Sequence, residues 1–218
     1  MRRSAAMAGS VLTVCAMPAL ALDSPASADQ SFVDAFAAAC VPGRLAYETS
    51  RETALGEGWM IVERDDHPEL ASVMQRADEI FAAETDLDSE IEGTLFARDV
   101  NGTRHHLSVT RSSFIFEEGD TPWVTVGCHL YNFDATAPLD PAPVTALIGN
   151  PISRSHDQDG MVGHVWGPPC PMPRTGDTYL GYVAEGSPTA EFTGFSGVSL
   201  NFSTSTPDPG EVVPETYC

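Results

Sequence analysis

The chain contains no lysine. Its basic residues are 11 arginines set against 31 acidic residues, a formal net charge of −20. A field of that sign repels phosphate, because nucleic-acid binding depends on Lys and Arg displacing counterions, and it equally disfavours anionic lipid. Nucleic-acid partners are therefore excluded. The acidity itself reads as solubility in a salty or cation-rich medium. Signatures of chemistry are scarce as well. There is no HExxH, no C-x-x-C and no Gly-rich phosphate loop, and "GFSGV" around Ser196 lacks the second spacing of a nucleophile elbow. Carboxylates are so numerous that no spacing singles out an acid/base pair. Beyond the first residues no apolar run is long enough to cross a bilayer.

What is present begins with an export-type leader. Arg2 and Arg3 precede a small apolar run, Ala5 to Leu22, and two A-x-A sites follow at Ala19-Leu20-Ala21 and Ala26-Ser27-Ala28. Residues 1–28 are expected to be a signal peptide cut after Ala21 or Ala28. Pro18 and the many Ala and Gly residues argue against a retained anchor, and Val14 ahead of Cys15 is bulkier than a lipidation site normally carries. Cleavage after Ala28 removes Arg2, Arg3 and Asp23, leaving nine arginines against 30 acids, about −21. The remaining chain, 29–218, is long enough for one domain with a full core, with 204–218 as an irregular tail.

Cys40, Cys128, Cys170 and Cys218 survive cleavage, an even number in an exported chain, so two disulfides are expected. Four cysteines allow three connectivities; Cys40 with Cys128 and Cys170 with Cys218 is the expected one. A loop from Cys170 to the terminal Cys218 would stabilise by roughly 4 kcal/mol on a chain-entropy argument.

Ser31 to Asp34 has the form of a capping box, and Phe32, Phe36 and Cys40 then share one helical stripe, which Pro42-Gly43 ends. A short helix over Ser50 to Leu55 and a strand at "GWMIVE" follow. The clearest helix is Pro68 to Ala83: Asp66 can cap it, and Leu70, Val73, Met74, Ala77, Ile80 and Phe81 line one face that should cover a sheet. "ETDLDSEIE" reads as a solvated connection. From Thr94 the period becomes 2. Asn101-Gly102 marks a hairpin, "SSFIFE" a third strand and "WVTVGCHLYNF" a fourth, together an antiparallel meander. "PAPVTALIG" is a short helix. Asn150 to Asp177 reads as a long Gly- and Pro-rich surface loop, and two strands near Tyr179–Ala184 and Gly197–Ser203 complete a sheet of about six.

The one ligand-like stretch is "SHDQDGMVGH". Ser155, Asp157 and Asp159 alternate before Gly160 as in the first half of a calcium loop, but Trp166 stands where the bidentate acid belongs. His156 and His164 could serve zinc or copper, though eight residues apart is no standard spacing. A turn is the favoured reading; a divalent-metal site using His156, Asp157, Asp159 and His164 is the alternative. His105 alternates with Leu107 and Val109 and reads as a satisfied core histidine. His106 and His129 fall on faces read as solvent-side, and His67 belongs to a helix start. The sequons at Asn101 and Asn201 read as chance matches.

The helix Phe36-x3-Cys40, the Gly58-Trp59 pair and Cys128 in a later strand resemble a loose group of small exported bacterial proteins of uncharacterised function. That resemblance implies a disulfide between first helix and sheet and no catalytic residue. The expectation is therefore a single α+β domain, periplasmic or secreted, with an antiparallel sheet packed against N-terminal helices and two disulfides. Its expected role is that of a non-catalytic binding or envelope protein whose partner the sequence does not name. The alternatives are a metal-binding protein and a hydrolase with paired carboxylates.

Overall fold

The computed structural model describes residues 27–83, 88–116 and 121–216. Most of the leader and Cys218 lie outside them. Helix α1 spans Ala28–Cys40, and its cap is Ser27, whose Oγ accepts the Gln30 N–H at 3.1 Å. The Ser31 box is thus already inside the helix. Cleavage after Ala28 would remove this cap, and cleavage after Ala21 would retain it. Helix α2 (Tyr47–Gly56) follows, then the two-residue strand β1 (Met60–Ile61), a 3-10 turn at Arg64–Asp66 and α3 (Pro68–Ala83).

Strands β2 (Asp88–Val100) and β3 (Thr103–Ile115) form one long hairpin through Asn101-Gly102, both at positive φ. Two expectations are corrected here. The acidic stretch read as a connection is strand from Asp88 onward, with 84–87 outside the described residues. The separate third strand at "SSFIFE" is the continuation of β3, because nothing between Val109 and Ser112 interrupts pairing with β2 on one side and β4 (Trp123–Asn132) on the other.

After α4 (Ala142–Ile148), the stretch expected as a loop holds two strands, β5 (Ile152–Gln158) and β6 (Met161–Trp166). They turn at Asp159-Gly160, with φ of 54° and 76°. Two successive positive φ values are what a two-residue hairpin requires, and Asp-Gly supplies them cheaply. Strand β7 (Thr178–Val183), the short helix α5 (Pro188–Thr193) and β8 (Gly197–Ser205) complete the chain. The result is one fully antiparallel sheet of eight strands, ordered β1-β2-β3-β4-β8-β7-β6-β5, rather than six. Among the described residues, these strands and five α-helices make an α+β architecture.

The sheet has two covered faces. On the first, Phe96, Leu107, Val109, Leu130, Leu200 and Phe202 are buried beneath α1, α2 and α4. Cys40 and Cys128 join helix to sheet in this core, as expected. Trp59 belongs to the same core, with the Arg98 guanidinium 4.8 Å from its ring centre. Cys170 is also disulfide-bonded, and its expected pairing with Cys218 lies outside the described residues.

The second face carries a smaller core of Leu70, Tyr131, Phe133, Val183 and Phe195. Among the described residues no helix is long and apolar enough to cross a membrane.

Candidate functional site

Helix α3 runs over the second face, but only Leu70 of its apolar stripe is buried. The reason lies in the sheet beneath it. Strand alternation puts Ser108, Thr110 and Ser112 of β3 on that face, opposite His129, Gly127 and Thr125 of β4 in register. Short polar side chains and a glycine cannot fill the space under a helix whose underside is Val73, Met74, Ala77 and Ile80. A cavity of about 1050 Å³ results, open to solvent and floored by those strands, with Ile61, Ile91, Leu95 and Phe192 along its walls. Gly127 leaves the floor open: a Cβ there would stand 2.6 Å from Thr110 Oγ1 and 3.5 Å from His129 Nε2, so those side chains would have to shift.

The floor is polar and unengaged. Among the described residues Ser108, Thr110, Ser112, Thr125, His129, Tyr131 and Ser203 line the cavity, and none of their side chains has a hydrogen-bond partner in the protein. Ser108 is 2% exposed and Tyr131 7%. Their polar atoms open into the cavity rather than being sealed in the fold, so they are available to water or to a ligand there.

Charge on the floor is absent at neutral pH. His129 keeps surface only as a cavity-lining residue, and burial pulls its pKa down to about 4, leaving a neutral imidazole with one donor and one acceptor. Burial likewise pushes the Tyr131 hydroxyl above its ordinary pKa. At the rim the arginines are answered by carboxylates, and Glu63 is a further acid in the lining. Arg64 pairs with Asp78, Arg76 with Glu79 and Arg51 with Glu48, while Glu92 lies 3.6 Å from Arg111. The Arg64 hydrogen bond holds Asp78 below the usual carboxylate range.

A ladder of stacked rings leads out of the floor. His129, Tyr131, Phe133 and His67 follow one another at centroid separations of 6.2, 5.4 and 4.6 Å with planes within 19° of parallel. At its far end His106, 1% exposed, meets Asp66 at 2.8 Å. Burial lowers the His106 pKa, only partly offset by the carboxylate, so Nε2–H donates to Asp66 while Nδ1 is buried without a partner. Burial pushes Asp66 up, but the hydrogen bonds from His106 and Arg104 outweigh it and hold the carboxyl below its ordinary value. With Ser196 Oγ–H donating to Glu69, this pair fastens the N-terminal end of α3 to the sheet.

No family model, curated protein or solved structure matches the chain. The site therefore stands on its own geometry.

The residues singled out in sequence lie elsewhere. Ser155 pairs with His164 and His156 with Gly163, so His156 and His164 project from opposite faces of the β5–β6 hairpin. Ser155 Oγ lies 2.9 Å from His164 Nδ1, and Asp159 occupies the turn. The set His156, Asp157, Asp159 and His164 does not converge, and among the described residues no group of three or more His, Cys, Asp or Glu could hold a metal. His105 is buried with Nδ1 2.8 Å from the Thr103 carbonyl oxygen, as its alternation implies.

His106 and His129 are not on a solvent face. That face is roofed by α3 and the 3-10 turn, which the local alternation could not reveal.

Proposed function

We propose that the protein is an exported binding protein whose cleft between α3 and the sheet takes up an uncharged small molecule with an apolar flank. The observation that carries this reading is the cavity of about 1050 Å³ whose polar floor residues have no partner within the fold. Pockets of this size, mostly apolar with a few convergent polar groups, are the usual form of a small-molecule site. The disulfide between α1 and the sheet and the leader-like N-terminus both fit a periplasmic or extracellular location. Paired-carboxylate hydrolysis is less well served, because Asp78 and Glu92 at the rim each face an arginine rather than another acid.

The test uses a neutral, environment-sensitive apolar dye, Nile red. Saturable binding at one site per chain is expected. Ala77→Trp, which fills the cleft from its roof, should abolish it, whereas Gln75→Trp on the exposed side of α3 should not, provided both variants melt as the wild type does. Absence of saturable binding, or binding indifferent to Ala77→Trp, overturns the reading.

A further inference from the structure

The two walls of the cleft differ in kind. Its roof, from α3, presents the apolar side chains Val73, Met74, Ala77 and Ile80, with Arg76 and Asp78 also in the lining. Its floor offers hydroxyls and one imidazole on a fixed grid. Ser112 faces Thr125, Thr110 faces Gly127 and Ser108 faces His129 across the β3–β4 ladder. Same-face neighbours stand about 5 Å apart across strands and about 7 Å apart along a strand.

From this arrangement we infer that the cleft is built for a facially amphipathic polyol: an uncharged, rigid hydrocarbon framework carrying several separate hydroxyl groups on one face and none on the other. This rests on the binding-protein reading and specifies its ligand.

Three features of the site lead to that class. A ligand polar all round would press hydroxyls against the α3 side chains, where they would lose hydrogen bonds to water and gain none. A purely apolar ligand would cover Ser108 and Tyr131 without pairing them, at the same kind of cost. A sugar presents vicinal hydroxyls at about 3 Å and on both faces of its ring, whereas the floor's donors and acceptors are spaced by the sheet repeat. Anionic ligands find no counter-ion free, since Arg51, Arg64 and Arg76 at the rim are each held by a carboxylate. Hydroxyl partners suit the floor particularly well. Serine, threonine and tyrosine can each donate or accept, and the neutral imidazole of His129 can do one of each.

The experiment displaces Nile red from the full chain with a neutral cholane tetrol, whose ring hydroxyls all lie on one face, and with an alkyl glucoside. The tetrol should compete and the glucoside should not. In the double variant Ser108→Ala/Thr125→Val, which removes two floor hydroxyls with little change of shape, tetrol affinity should fall about tenfold while dye affinity stays within twofold. A tetrol that fails to displace bound dye, or that binds the double variant as tightly as wild type, overturns this inference and leaves the cleft reading standing. Failure of the dye itself to bind overturns both.

Discussion

His129 shows how a single side chain records its surroundings. Its ordinary pKa of 6.5 falls to about 4 because burial disfavours the imidazolium. His105 and His106 are shifted the same way, again by burial first. A histidine whose folded pKa is depressed binds its proton more readily in the unfolded chain, so its contribution is intact above pH 6.5 and is lost as pH falls towards the folded value. For His129 that window runs from 6.5 down to about 4, and the loss across it is on the order of 3 kcal/mol. Urea unfolding should therefore give markedly lower stability at pH 4.5 than at pH 7. His129→Gln, which cannot titrate, should flatten the dependence. An unchanged pH profile in that variant would show that His129 is not the buried neutral group described above.

At the scale of elements, the Cys40–Cys128 disulfide is a strong tether. Cys40 and Cys128 are 88 residues apart in sequence, and a cross-link closing a loop of that length restricts the unfolded chain by about 4–5 kcal/mol on the chain-entropy model. Both cysteines are almost wholly buried, at 0% and 2% exposure. Replacing the pair by alanines should cost about that much in chemical denaturation, and the bond in the wild type should resist dithiothreitol until the protein unfolds. A loss under 1 kcal/mol would mean that helix packing alone seats α1. This bond was the expected one of three connectivities, with Cys40 at the end of a helical stripe and Cys128 in a later strand.

Helix α3 was legible in its bounds, because first-turn proline and apolar period agree over Pro68–Ala83, but its cap is not the expected Asp66, which binds His106 and Arg104; His67 Nδ1 accepts the Glu69 N–H instead. The β5–β6 hairpin was not legible, although Asp159-Gly160 is as good a hairpin signal as Asn101-Gly102. Charged and polar residues along the edge strand β5 gave no alternation to read, and the metal-like spacing drew attention to ligands instead of the turn. The cleft escaped notice for a different reason. Each half was visible alone, an apolar helix stripe and a Ser/Thr-rich strand face, but alternation alone assigns the latter to solvent. Only their juxtaposition creates a cavity.

For the molecule as a whole, the cleft implies an uneven distribution of stability. The first sheet face is sealed by three helices over a continuous core, whereas α3 is anchored at one end by Leu70, by Asp66 with His106 and by Glu69 with Ser196. Beyond that end it rests over the cavity and is held by exposed polar links, Arg64 to Asp78 and Arg76 to the Phe192 carbonyl, and by the Phe81 ring 6.2 Å from that of Phe114. Exposed ion pairs contribute little, typically under 1 kcal/mol. Elements with few buried apolar contacts open locally well below the global unfolding free energy. Amide hydrogen exchange should thus be fast from Val73 to Ala83 and slow in α1.

A ligand seated against the roof adds apolar contacts only in the closed arrangement. At a free concentration of 100 times Kd it stabilises that arrangement by about 2.7 kcal/mol, which slows exchange in α3 about 100-fold. The protection should be confined to α3 and the floor strands β3 and β4, with α1 and α4 unchanged. Exchange in α3 as slow as in α1 before any ligand is added would mean that the helix is seated more firmly than its single buried side chain implies, and the cleft would then have to fill and empty without it moving.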